Sequence, residues 1–265
     1  QIVSETHLAS PATCTESAKY YYSCTCGEAG EEIFADGEPL GHDYQEKRIE
    51  PGYSHEGAMQ QACTRCGDVE SSEPIPVLNI EDRLADVAKG QWFTPFIAYC
   101  LDEGLMSGQD EYDGNGREYF RPDSTMTRAE LVTVLYNMEG KPAVEVEPIF
   151  DDVAAGQWFA EEVTWAAQNG IVFGTSETEF SPNTPISRQD LVTILYRYAV
   201  NYKGLELTVE DPEEQLSAYV DVNQIATHGW MPLAALNKAG VITGDGDRLK
   251  PQDSASRGEV ASMFN

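Results

Sequence analysis

Positive charge is scarce in this chain. Seventeen lysines and arginines stand against 45 aspartates and glutamates in 265 residues, a formal net charge of −28. So acidic a molecule repels nucleic acid and anionic membrane surfaces, and any anion it binds must be caught at a local site. Long apolar runs are missing too. Nothing approaches the roughly 18 residues that a membrane helix needs, so no membrane insertion is expected. The opening residues QIVSETHLAS lack a basic start and an apolar signal core, as in a mature exported chain or a trimmed piece. Catalytic words are absent as well: there is no G-x-S-x-G, no H-E-x-x-H and no phosphate-binding glycine loop. Histidine is rare, and beyond the first 55 residues only His228 remains. No enzymatic activity is expected, and the paired acids Asp151 and Asp152 read as a solvated helix entrance.

What is present repeats. The segment TMTRAELVTVLYN, beginning at Thr125, returns as PISRQDLVTILYR and, more bluntly, as SASRGEVASMFN at the end of the chain. Each is preceded by a related stretch: LADVAKGQWFTPFIAYCLDEGLMSG, then FDDVAAGQWFAEEVTWAAQNGIVFG, then YVDVNQIATHGWMPLAALNKAGVITG. Pro122, Pro182 and Pro251 each stand six residues before the arginine of the following motif. Spacing kept three times marks copies of one helix-loop-helix unit. Thr94 and Pro95 read as a helix start, and Gly104, Gly170 and Gly240 as helix ends. Leu131, Leu135 and Met138 form an apolar stripe, repeated by Leu191, Leu195 and Tyr198. Trp165 and Cys100 fall on core-facing positions of their helices.

The second helix of each unit opens at Thr127, Ser187 or Ser256. A hydroxyl there accepts from the amide three residues on, where Glu130, Asp190 and Glu259 complete or approximate a capping box. The arginine between them has no such explanation. Arg128, Arg188 and Arg257 put a cation at the positive end of a helix dipole, which is unfavourable, yet they use three of the ten arginines in the chain. One account is pairing with an acid of the adjoining loop. The other is that free amides and a guanidinium fork form a receptor for carboxylate or phosphate. The second account predicts that the arginine serves binding rather than stability.

The D-V…W, G-(I/L/V)-x-x-G, F-x-P and T-R-A-E elements, in that order and three times over, resemble the S-layer homology (SLH) domain family. The likeness runs from Leu78 to the end of the chain, and Thr127–Glu130 carries its most diagnostic word. The resemblance implies a pseudo-threefold assembly of three helix-loop-helix repeats with grooves between neighbours. It also implies non-covalent anchoring of an exported protein to an anionic, often pyruvylated, secondary cell-wall polysaccharide. By motif position, Arg128, Arg188 and Arg257 would contact the acidic sugar, with Trp92 and Trp158 offering rings to a sugar face or, alternatively, packing in the core. Copy three departs by carrying His228 where the others have tryptophan, with Trp230 two residues on, so its groove is the one expected to be altered. The location implied is extracellular, at the cell wall or cell surface. A structural or protein-interaction module without sugar binding is the alternative.

The front reads differently. Cys14, Cys24, Cys26, Cys63 and Cys66 crowd into the first 66 residues together with His7, His42 and His55. Eight such ligands suffice for two tetrahedral zinc sites. One partition is His7, Cys14, Cys24 and Cys26 against His42, His55, Cys63 and Cys66; another assigns His42 to the first site. Only Cys63 and Cys66 have the usual knuckle spacing. The stretch resembles small zinc-ribbon-like repeats of Gram-positive surface proteins, with CTxCG and GHDY as shared words. Disulfides are the competing reading, and a module this small needs some such staple. Asp110, Asp113 and Asn115 suggest calcium but are out of register for an EF-hand, which favours a plain turn. The expected fold is mainly α, with a small β-rich Cys/His module over 1–76 and repeats over 77–142, 143–204 and 205–265.

Overall fold

The computed structural model describes residues 5–23 and 27–264. The chain divides into two compact units, residues 1–78 and 79–265. The first holds two three-stranded antiparallel sheets. One has the order β1 (Leu8–Ser10), β2 (Ala18–Ser23), β3 (Ala29–Asp36), and the other β4 (Tyr44–Ile49), β5 (Gly57–Cys63), β6 (Val69–Ile75). Aromatic residues favour β2 and β3 as strands. Tyr20 pairs across from Phe34, and the Tyr22 ring lies 4.8 Å from the same phenyl. Gly57 opens β5 where a side chain would collide with the Ile49 carbonyl oxygen and Pro51. This unit has almost no apolar core. Among its described residues only Cys14, Ala62 and Cys63 are buried apolar side chains.

The second unit carries α1 (Thr94–Asp102), the hairpin β7 (Gln109–Tyr112) and β8 (Glu118–Tyr119), α2 (Arg128–Met138), α3 (Ala160–Gln168), α4 (Arg188–Arg197), α5 (Pro212–Gln215), α6 (Trp230–Lys238) and α7 (Arg257–Met263). A π-helical turn, Tyr198–Tyr202, prolongs α4. Phe120, Phe180, Leu131, Leu135 and Leu191 are fully buried, as are Cys100 and, nearly so, Trp165. Met138 is exposed, because it ends its helix. Phe93, not Thr94, precedes α1; the Thr94 hydroxyl donates to the Ala88 carbonyl at 2.6 Å.

The mainly α expectation fails: the chain is 30% helix and 20% strand, with three small antiparallel sheets. The front module is strand apart from one 3-10 turn, Glu5–His7, and the first repeat folds its long loop into β7–β8. There Asp113 accepts from the amides of Asn115 and Arg117 and from the Arg117 side chain, so it is a turn residue.

Two devices recur, one within each copy and one between copies. Asp86, Asp152 and Asp221 each accept two consecutive backbone amides, those of Phe120 and Arg121, Phe180 and Ser181, and Leu249 and Lys250, at 2.7–2.9 Å. These bonds hold Arg121, Ser181 and Lys250 at positive φ, a conformation disfavoured without glycine. Asp152 is therefore a loop clamp rather than a solvated helix entrance. The second device is cyclic. Met126 N–H donates to Ala255, Ala255 N–H to Ile186, and Ile186 N–H to Met126, at 2.8–3.0 Å, so the residues before α2, α4 and α7 close a ring.

Candidate functional site

The helix starts position the repeated arginines. Thr127 and Glu130, and likewise Ser256 and Glu259, form complete capping boxes, whereas Ser187 accepts from the Asp190 amide without the reciprocal bond. Each arginine is then aimed into the next copy. Arg128 Nε donates to the Phe180 carbonyl oxygen and Nη2 to that of Phe173, both at 2.9 Å. Arg188 Nε donates to Leu249 at 3.1 Å. Arg257 Nε donates to Phe120 at 2.9 Å and Nη2 to Ser107 at 2.8 Å. The guanidinium carbons of Arg128 and Arg257 sit 4.7 Å over the rings of Phe180 and Phe120. Arg128 and Arg257 are 9% and 5% exposed, and burial pulls both pKa values downward. The arginines therefore brace the contacts between copies, a structural role that the sequence reading did not assign. Where they pair with acids, the acid belongs to the neighbouring helix start rather than to the loop: Arg257 with Glu130 at 3.2 Å and Arg188 with Glu259 at 3.0 Å.

Three grooves result, and each draws on all three copies. The first, about 600 Å³, lies along copy one and is lined by Met106, Glu130 and Asn137, with Arg257 from copy three and Trp158 from copy two. Another, about 670 Å³, lies along copy three between Thr243 and Met263, with Arg188 from copy two and Trp92 from copy one. The groove along copy two, about 380 Å³, has Phe173, Thr193 and Arg197, with Arg128 from copy one and His228 from copy three. Trp92 and Trp158 are 57% and 59% exposed, each edge-on to the phenylalanine that follows it, so the core alternative for them fails. His228 occupies the corresponding place in the remaining groove, as expected of copy three. The wall it faces is that of copy two.

In the front unit the structure gathers Cys14, His42, Cys63 and Cys66, whose ligand atoms all lie within 4.8 Å of one another. This overturns the partition that set Cys14 with His7, Cys24 and Cys26. His7 instead meets the Gly27 carbonyl oxygen at 3.0 Å, and His55 stands outside the cluster. Cys24 and Cys26 lie outside the described residues. The Cys14 and Cys63 sulfurs are 3.7 Å apart, and Cys66 Sγ is 3.4 Å from His42 Nδ1. A tetrahedral zinc with bonds of about 2.3 Å to sulfur and 2.0–2.1 Å to nitrogen has edges of about 3.8 and 3.5 Å, so the donor set fits that ion. No disulfide links the described cysteines, and Cys14, Cys63 and Cys66 are free thiols. Arg65 Nη1 donates to the carbonyl oxygens of Leu40 and Gly41, which ties the loop bearing His42 to the Cys63–Cys66 turn. Burial raises the Cys63 pKa, but the amides of Asp43, Cys66 and Arg65, with His42, outweigh it and bring the thiol down to about 5. Burial and the neighbouring thiols push Cys14 up to about 11.

Comparison with known sequences gives a family. A model of the S-layer homology domain matches residues 83–132, 149–192 and 219–261, just over half of the chain. The chain belongs to that family. The surface-layer 125 kDa protein of Lysinibacillus sphaericus is 30% identical over 64% of this chain and 13% of its own length. The S-layer protein sap of Bacillus anthracis is 25% identical over 71% and 22%, respectively. An endoglucanase of Bacillus sp. (strain KSM-635) is 26% identical over 68% and 18%. The chain thus spans less than a quarter of each of these relatives. S-layer homology repeats and surface-layer relatives support cell-wall anchoring in general and a cell-surface location. No helix among the described residues is long and apolar enough to cross a membrane. Each groove falls between these S-layer homology repeats, and its arginine comes from the diagnostic word of one of them. The signal missed in the sequence is the partner on the far side, because a backbone carbonyl oxygen leaves no mark on residue identity.

Proposed function

We propose that residues 79–265 hold an exported protein to the bacterial wall by binding an acidic, pyruvylated secondary wall polysaccharide in the three grooves. The observation that carries this reading is the cyclic construction of the grooves. Each combines a guanidinium from the preceding copy with an aromatic ring from the following one, the pair of chemistries that a carboxylate-bearing sugar needs. The unit is non-catalytic in this reading. The test is sedimentation with purified walls before and after extraction of the secondary polymer. Binding that survives extraction would defeat the proposal. A protein-interaction module without sugar binding draws support from Glu130 and Glu259, which already neutralise Arg257 and Arg188. Binding to a protein on extracted walls would favour it.

We also propose that Cys14, His42, Cys63 and Cys66 hold one structural zinc ion. These four residues leave no place for a catalytic water in a four-coordinate site, so the ion would staple the fold. Elemental analysis of mildly purified full chain should find zinc bound through this cluster. Retention of zinc by a Cys14→Ser, Cys63→Ser double variant would refute the assignment.

A further inference from the structure

The ligand cluster of the front unit holds three thiols that differ in access. Cys14 and Cys63 are buried, whereas Cys66 is exposed. Cys14 lies in the turn between β1 and β2, and Cys63 ends β5, so the pair joins the two sheets of this unit across 49 positions. Their meeting is framed by backbone hydrogen bonds, which need no ion. Gly41 N–H donates to the Cys14 carbonyl oxygen at 3.1 Å, Leu40 N–H to that of Thr13 at 2.8 Å, and Thr64 N–H to that of Asp43 at 3.0 Å. Arg65 adds its two bonds to Leu40 and Gly41, and the Asp43 amide donates to the Cys63 sulfur at 3.4 Å. The Cys14 and Cys63 sulfurs stand 3.7 Å apart, so a disulfide of about 2.04 Å asks them to close by about 1.7 Å, within reach of side-chain rotation. The Cys66 sulfur lies within 4.8 Å of both.

Resting on the reading of this cluster as a zinc site, we propose that it is a redox-convertible staple. Oxidation replaces the ion by a Cys14–Cys63 disulfide, and Cys66 is the thiol that meets the oxidant. Hydrogen peroxide is the oxidant considered. The Cys66 sulfur attacks one peroxide oxygen, the O–O bond breaks, and hydroxide leaves, giving a sulfenic acid. Cys63, its neighbour in the Cys-x-x-Cys turn, displaces the second hydroxide and forms a Cys63–Cys66 disulfide. Cys14 then attacks the Cys63 sulfur and returns Cys66 as a thiol. Summed over two thiols and one peroxide, the products are one disulfide and two waters. His42 and Cys66 remain as donors, short of the four of a structural zinc site, so the ion is released. The Cys14–Cys63 pair is the stable end, because a cross-link that closes a long loop removes more freedom from the unfolded chain than one inside a tight turn. Disulfides persist outside the cell, and the cell surface is where this family places the chain.

The test treats the full chain, purified under reductant and then freed of it, with hydrogen peroxide. Zinc release is followed with a chromogenic chelator, and disulfides are mapped by mass spectrometry of unreduced peptides. Zinc should leave in step with the appearance of a Cys14–Cys63 peptide. The β4–β6 amides should stay protected from hydrogen exchange in the oxidised, zinc-free chain, whereas chelation under reductant exposes them. In metal-free chain, Cys66→Ser should slow formation of the link about tenfold, since the buried thiols meet peroxide less readily. Cys14→Ser should stop the sequence at a Cys63–Cys66 disulfide. Zinc release without a Cys14–Cys63 peptide overturns the proposal, as does loss of β4–β6 protection on oxidation. A Cys66→Ser chain that forms the link as fast as the parent removes Cys66 from the route and overturns it equally. The zinc reading fails separately: a chain that carries no zinc as purified, yet forms the Cys14–Cys63 link with peroxide, refutes the ion and keeps the redox pair. A chain that carries zinc but forms no link does the reverse.

Discussion

The front unit and the repeat unit stabilise themselves by opposite means. In the first, strands lie open and the buried apolar set among the described residues reduces to Ala62 and two thiols of the ligand cluster. In the second, buried apolar side chains run from Ile80 and Leu84 through Phe120 and Phe180 to Val260. Below roughly 70–80 residues a core alone supplies only a few kcal/mol, so cross-linking side chains must do what burial cannot. The difference teaches where each part is vulnerable: one to its chemical environment, the other to the loss of volume and of buried hydrogen bonds.

The comparison can be broken most sharply by removing metal. Chelation should abolish protection of the β4–β6 amides in hydrogen exchange and leave α2 and α4 protected, because binding free energy of such a site is folding free energy. Equal loss in both units would erase the distinction. Next, Phe180→Ala should destabilise the repeat unit by about 3–5 kcal/mol in denaturant titration without changing zinc content. Arg257→Ala strips partners from Phe120, Ser107 and Glu130, and should remove about 3 kcal/mol, since it breaks a largely buried pair. Thr127→Ala, which removes only a cap, should remove about 1 kcal/mol. If Arg257→Ala proved the milder of the two, the bracing role would be wrong. The smallest effect is on acid sensitivity. Burial raises the Asp221 pKa, but the amides of Leu249 and Lys250 outweigh it and leave the group below its usual range. A depressed carboxyl contributes stability that is fully present above its unfolded value of about 3.9 and is lost as pH falls through its folded value. Melting temperatures from pH 7 to pH 3 should therefore fall more steeply in the parent than in Asp221→Asn.

Local chemistry was the legible part. Thr127 with Glu130 and Ser256 with Glu259 announce helix starts, since a cap is written within four consecutive residues. The crowding of Cys14, His42, Cys63 and Cys66 into the front announces a ligand set. Their grouping was hidden, because Cys14 and Cys63 meet across 49 positions and no spacing rule spans that distance. The bias toward a mainly α chain arose from weighing the repeats and underweighting strands such as Ala29–Asp36, whose exposed glutamates break the hydrophobic alternation. The arginine at 128 had two readings in the sequence, a pair with a loop acid or a receptor for an anion, and neither named a carbonyl oxygen. Its Nε and one N–H of Nη2 are spent on carbonyl oxygens of Phe180 and Phe173, which fixes the guanidinium against the next copy.

The closed hydrogen-bond circuit of Met126, Ile186 and Ala255 also governs how this domain can be cut and how it must fold. In a linear solenoid the end repeat can be deleted and the rest persists, because each repeat touches only its neighbours. Here no repeat is terminal. The last helix start donates its amides to Ser124 and Pro122 in the first copy, so truncation before Ser256 would open the first repeat as well as strip α7 from the third. Joining residues so far apart in sequence also raises contact order, which slows folding. Such a domain should appear all at once and late, after its final residues are available, instead of growing repeat by repeat.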